Sequence, residues 1–179
     1  MTLSMHAMSV EIFTAMLGDL SKVLDKAAEH ARAEGVDPAS LVGARLAPDM
    51  YDLAKQVQAA CDMAKSGVAR LAGHEPPVFE DNETTLEALK ARIARTIDYV
   101  SRFDVAALDG SDTRAIVIPT QRDFNFEMTG LQFVKDWSLP HFFFHVTTAY
   151  DILRAQGVAL GKQDYVSHAA VFARPKTAA

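Results

Sequence analysis

The chain has 179 residues, 49% of them hydrophobic and 23% charged, and its 18 Lys and Arg against 23 Asp and Glu leave a net charge of −5. That balance excludes a disordered chain, which buries too little apolar surface to offset its ordering entropy. It also argues against a nucleic-acid partner, because neutralising phosphates needs a basic face. No apolar run approaches the roughly 18 residues that a spanning helix requires, so no membrane segment is expected. One cysteine, Cys61, cannot form an internal disulfide, and within an apolar-periodic stretch it reads as a small buried hydrophobe. Residues 1–179 read as a single domain. The N-terminal stretch lacks the basic start of a signal peptide, since Lys22 is the first cation, and the expected location is cytoplasmic.

The first helix is expected from about Ser4 or Met5 to Glu34. Val10, Phe13, Leu17, Leu20, Leu24, Ala27 and Ala31 recur at three- and four-residue steps and form one stripe. Gly35 stops it and Asp37-Pro38 opens a loop. That loop, Val36 to Pro48, carries Leu41, Val42 and Leu46 and is expected to pack across an end of the core. A second helix should start at Asp49 or the preceding Ala47-Pro48 and reach about Ala72, with Met50, Leu53, Val57, Ala60, Cys61, Ala64, Val68 and Leu71 inward. His74-Glu75-Pro76-Pro77 cannot continue it. A third begins near Asn82 or Thr84, where Thr84 and Glu87 fit a capping box, and ends near Phe103.

The period then changes. Residues 114–118 end in three β-branched side chains, Ile116-Val117-Ile118, Pro119 to Asp123 are turn material, and Phe124-Asn125-Phe126-Glu127-Met128 alternates at period two. A two-stranded hairpin is expected, with Phe124, Phe126 and Met128 against the helices. Ser138-Leu139-Pro140 reads as the capped start of a fourth helix, which runs to about Gln156 and is closed by Gly157. The segment 157–165 lacks phosphate-loop spacing and reads as a cap over one bundle end, with Lys162 near the fourth helix's carbonyls. Thr177-Ala178-Ala179 reads as a frayed end. Four amphipathic helices with one hairpin between the third and fourth predict an all-α four-helix bundle.

The fourth helix carries the candidate site. His141 and His145 are four apart, so their rings lie one above the other on a face shared with Thr148 and Ile152. Two imidazoles at that spacing can bind one metal ion, or can be hydrogen-bonded structural residues. In a first turn the helix dipole disfavours the imidazolium at His141, which suits a ligand. Phe142 stands where a zinc protease would carry its glutamate, so that motif is absent. The second helix has no His to offer as a third ligand. Gln56, Asp62 and Asp49 are its candidates, with Gln56 equally suited to be the hydrogen-bond partner of one His and the two Asp equally suited to solvent or capping. His6, His30, His74 and His168 lie near helix ends, termini or loops and carry little weight. Tyr150 and Asp151, on the other side of the helix, read as packing residues. Six of the ten Phe fall between Phe124 and Phe144, around the two histidines.

Arg45-Leu46-Ala47-Pro48-Asp49-Met50, Gln56-Val57-Gln58, the run from Leu139 through His141 and His145 to Arg154, and Gly161-Lys162-Gln163-Asp164-Tyr165 together resemble the uncharacterised bacterial family named domain of unknown function 1993. That family is grouped with the DinB/YfiT-like four-helix bundles, often homodimeric and many of them metalloenzymes, some being thiol-dependent transferases. The resemblance implies nickel or zinc on three His, one from the second helix and two from the last. His141 and His145 match the last-helix pair, and the second-helix His is missing. Gln56 or an Asp takes its place, or water does, or the site binds nothing. The two functions carried forward are a metal-dependent enzyme of thiol-transferase or hydrolase type and a non-catalytic module that dimerises or takes a small molecule in the bundle interior.

Overall fold

A computed structural model describes residues 4–175, so the expectation for Thr177-Ala178-Ala179 lies outside the described residues. Helix α1 (Ile12–Glu34) follows one π-helical turn at Ala7–Glu11 and buries the expected stripe, with Phe13, Leu17, Leu24 and Ala27 fully covered. It stops at Gly35, whose left-handed backbone returns its N–H to Ala31. The next segment is not all loop. Asp37 accepts from Ala39 N and Pro38 presets the first turn of a short α2 (Pro38–Val42). Leu41 and Val42 enter the core as expected, but Leu46 remains 44% exposed.

Helix α3 (Leu53–Leu71) starts later than expected. Ala47–Met50 closes a turn after Pro48, and Asp52, not Asp49, caps the helix by accepting from Lys55 N at 2.9 Å. Helix α4 (Leu86–Val100) is capped by Thr85 rather than Thr84, because Thr85 holds the extended backbone that aims its hydroxyl at Ala88 N. Strands β1 (Ala115–Ile118) and β2 (Phe126–Thr129) pair antiparallel, with Ile116 opposite Met128 and Ile118 opposite Phe126.

Ile116 is buried, and Ile118 and Met128 pack on the core. Phe124 and Phe126 do not follow the expectation, being 47% and 39% exposed. Phe124 precedes the ladder, and Phe126, at its loop end, meets Trp137 at 4.7 Å instead of the core.

The largest departure is the start of the last long helix. Thr129 and Gln132 form a reciprocal capping box that opens α5 (Gly130–Gln132). A π-helical turn, Phe133–Ser138, then leads without a break into α6 (Leu139–Ala155). Ser138 therefore has helical dihedrals and caps nothing; its hydroxyl donates to the Met63 carbonyl on α3. Pro140 explains the wide turn. It has no N–H for the Asp136 carbonyl, and its ring would collide with that oxygen in a regular α turn.

Helices α1, α3, α4 and α6 are the four long members of the bundle, with α3 against α4 and α6 and α1 against α4 and α6. Phe13 and Phe142 meet edge to face at 4.9 Å in its centre, and each such buried ring contributes roughly 1.5–3 kcal/mol. At Gly67 the π turn before α6 and helix α1 both come close to α3. A Cβ there would fall 2.6 Å from Ser138 Oγ and 3.3 Å from the Phe13 ring.

After α6, Val158 and Leu160 are buried, and α7 (Lys162–Tyr165) packs on α1 and the middle of α6 rather than over a bundle end, with no hydrogen bond from the Lys162 side chain to α6 carbonyls among the described residues. Tyr165 shares a hydrogen bond with Thr147 and packs edge-on against Tyr150, while Lys26 pairs with Asp164 at 2.7 Å. No helix among the described residues is long and apolar enough to cross a membrane.

Candidate functional site

The continuous helix changes the setting of the histidines. His141 is well inside the helical run rather than in its first turn, so the dipole argument for its neutrality does not apply. What holds the ring instead is its neighbour one turn back. Its Nδ1–H donates to the Trp137 carbonyl at 2.7 Å, and the two rings lie 4.6 Å apart. A carbonyl oxygen only accepts, so Nδ1 carries a proton, and Nε2 of His141 has no protein partner among the described residues.

His145 is held through the same ring nitrogen by a different contact. Gln56 on α3 donates Nε2–H to the Tyr51 carbonyl at 3.3 Å, which turns its Oε1 toward His145. His145 Nδ1–H donates to that oxygen at 2.8 Å. Gln56 is 1% exposed, and of the two roles open to it in the sequence the contact it makes is the hydrogen bond. Burial, with a smaller contribution from the nearby His141 ring, lowers the pKa of His145 below its ordinary value. The ring is thus neutral at pH 7. Its Nε2 has no protein partner among the described residues and is not a sealed-off buried atom.

Aromatic rings frame the pair. Tyr51 stacks over His145 at 6.4 Å and Phe144 abuts it edge-on at 5.3 Å. Trp137 joins His141 to Phe126 and through it to Phe124. The three consecutive Phe of α6 divide as helical geometry requires. Phe142 is fully buried, Phe143 is partly buried, and Phe144 is 57% exposed beside the histidines.

The other candidates are elsewhere. Asp62 pairs with Arg92 at 2.8 Å and with Lys65 at 3.0 Å. Asp49 is exposed in the turn before α3, and among the described residues no hydrogen bond joins it to either histidine. No group of three or more His, Cys, Asp or Glu among the described residues is placed to hold a metal ion. The three-His centre implied by the resemblance is therefore not built here. Two imidazoles whose Nε2 atoms have no partner among the described residues are what the site supplies. Cys61 is buried, and burial pushes its thiol up to about 11, which removes it as a nucleophile.

A family model described as Domain of unknown function (DUF1993) matches residues 5–166. The chain belongs to this family. Its fold is that of a solved DinB family member protein from Shewanella denitrificans, with 40% identity, 97% of this chain and 95% of that chain covered, and a TM-score of 0.85. No curated protein matches the chain. The expected all-α bundle with its hairpin is the architecture of this DUF1993 member.

Two clusters in it escaped the sequence reading. Arg92, with a wholly buried side chain, reaches Asp62, Asp81 and Glu83 at 2.8, 2.9 and 3.1 Å and ties the loop before α4 to α3. Asp19, on the buried side of α1, accepts from Ser167 Oγ at 2.5 Å and from His168 N at 3.0 Å and His168 Nδ1 at 2.5 Å. The only sequence signal for either was a charged residue interrupting an apolar stripe.

Proposed function

We propose that His141 and His145 are the protein's ligands for one divalent transition-metal ion of the nickel or zinc type, with the remaining positions open to water or to a small-molecule ligand. The observation that carries this reading is that both rings have their Nδ1–H fastened to carbonyl oxygens, of Trp137 and Gln56. That is the arrangement in which outer partners orient metal-binding imidazoles and leave Nε2 to ligate. A neutral His145 removes the proton competition that opposes ligation. Gln56 and Trp137 are positioning residues, and Tyr51 and Phe144 limit the access of water to His145. The chemistry supplied by such an ion when bound is Lewis-acid activation of a water or thiol. This is the setting of a metal-dependent enzyme of thiol-transferase or hydrolase type, working in the reducing cytoplasm that a lone thiol suits.

Calorimetric titration of untagged protein with zinc and nickel tests the reading. One saturable site, lost in His145→Ala and in His141→Ala, is the expected result. Heats indistinguishable from those of the two variants would sink it.

A second reading is favoured by the exposure of Phe124, Phe126, Phe144 and Tyr51 around the pair. Here the face is non-catalytic and docks a second copy of the chain. Exposed rings clustered in this way mark interaction surfaces. Sedimentation of the wild type against Phe144→Ser separates the two. A dimer that dissociates in the variant, with no metal bound in either, assigns the face to assembly.

A further inference from the structure

A cleft of about 330 Å³ opens on the bundle at the C-terminal end of α3, walled by β1, Pro76 and Pro119. Two arginines line it, Arg70 from the last turn of α3 and Arg114 from the residue before β1, with His74 and one carboxylate, Glu75, beside them. Gly73 brings them together. Its φ of +76° is a backbone few other residues adopt, and a Cβ at that position would fall 2.7 Å from Arg114 Nη1. Arg114 can lie against the turn only because that position has no side chain.

The two arginines of this cleft outnumber its one carboxylate, Glu75. Arg92 reaches three carboxylates, whereas neither Arg70 nor Arg114 has a carboxylate within ion-pair distance among the described residues. Arg70 is also half-buried. Burial lowers the pKa of its guanidinium below the ordinary value, and Glu75 opposes that only from a distance. The negative end of α3 favours a cation nearby, which accounts for one of the two. The second, on the exposed Arg114, adds a like charge at the same opening with no carboxylate paired to it among the described residues, which is unfavourable until a counter-charge arrives.

We propose that this cleft is an anion site that binds the oxyanion group, phosphate monoester or carboxylate, of a small molecule. Two guanidiniums converging on one opening suit bidentate contacts to such a group. The volume lies at the lower end of the roughly 300–1,000 Å³ typical of ligand pockets, which fits a metabolite rather than a polymer. The site is separate from His141 and His145 and stands or falls independently of them.

The test uses the full chain with inorganic phosphate, acetate and sodium chloride at matched ionic strength. Binding is read by thermal shift and by the NMR signals of the arginine Nε–H groups. Phosphate, acetate or both should raise the melting temperature beyond chloride and move the Arg70 and Arg114 signals. Phosphate alone assigns a phosphate monoester, and acetate alone assigns a carboxylate. The exposed Arg114→Gln should fold as the wild type by circular dichroism and lose affinity about tenfold or more, as expected for a hydrogen bond to a charged group. An equal shift with chloride, or full affinity in Arg114→Gln, would overturn the proposal.

Discussion

Gln56 Oε1 lies 2.8 Å from His145 Nδ1, across the packed faces of α3 and α6. The amide is itself oriented by the Tyr51 carbonyl, so one buried glutamine joins the turn before α3 to the middle of the last helix. Gln56→Leu fills similar volume and removes the acceptor. It should cost about 1–3 kcal/mol, the penalty for leaving a partly buried N–H unpaired, measured by urea denaturation. Gln56→Glu keeps an acceptor and adds a charge. It should restore the contact and raise the pKa of His145. A Leu variant as stable as the wild type would show that the contact is incidental.

The lowered pKa of His145 has a direction in stability as well. Burial disfavours its imidazolium in the folded state, so the unfolded chain binds the proton more tightly. Stability from this group is fully present above the ordinary value of 6.5 and falls as pH drops from there through the lower folded value. Histidine NMR titration should place His145 below 6.5. In His145→Gln this component of the pH dependence should disappear. A His145 titrating at or above 6.5 would contradict the burial argument.

Much of this was legible in the residues, and the parts that were not have physical causes. The stripes of α1 and α3 show in the sequence because a helix repeats every 3.6 residues and burial selects apolar side chains at that period. The i, i+4 spacing of His141 and His145 shows for the same reason. The start of the last helix was hidden because Ser138-Leu139-Pro140 carries the chemistry of a helix N-terminus. The π turn that lets Pro140 sit inside a helix leaves no comparable mark. Gln56 could be read as a hydrogen-bond partner from its place at the edge of the stripe. The Trp137 carbonyl that holds His141 could not, because backbone acceptors are the same at every position. Asp19 and His168 meet across 149 residues, a separation at which no local pattern operates.

Arg92 offers a separate test of the bundle. Its side chain is wholly covered, and Glu83 opposite it is 8% exposed. Removing one partner of a buried pair leaves the other charge uncompensated, which costs about 3–5 kcal/mol. Arg92→Met, with its apolar stem of similar length, should therefore lower stability by several kcal/mol in urea denaturation. Replacing Glu83 by Gln as well should recover part of the loss, since the stranded carboxylate is then gone. Additive losses in the double variant would argue that the pair is not coupled.

Asp19 makes the C-terminal segment part of the folded unit. Burial acts to raise its pKa, but the hydrogen bonds from Ser167, from the side chain and backbone of His168, and from Lys22 outweigh it and hold the carboxyl below its ordinary 3.8. A depressed carboxylate contributes stability that is present above the ordinary value and lost as pH falls below it through the folded value. The segment should therefore stay seated at pH 5–7 and loosen as pH drops below about 4. Asp19→Asn should produce the same loosening at neutral pH, because a neutral amide accepts less strongly than a carboxylate. Amide exchange at His168 is the direct measure, since its N–H donates to this carboxylate. Exchange there should accelerate in Asp19→Asn, while amides in the middle of α3 keep the wild-type rate. Equal acceleration at both places would mean that the variant lowers global stability and that the segment has no separate release.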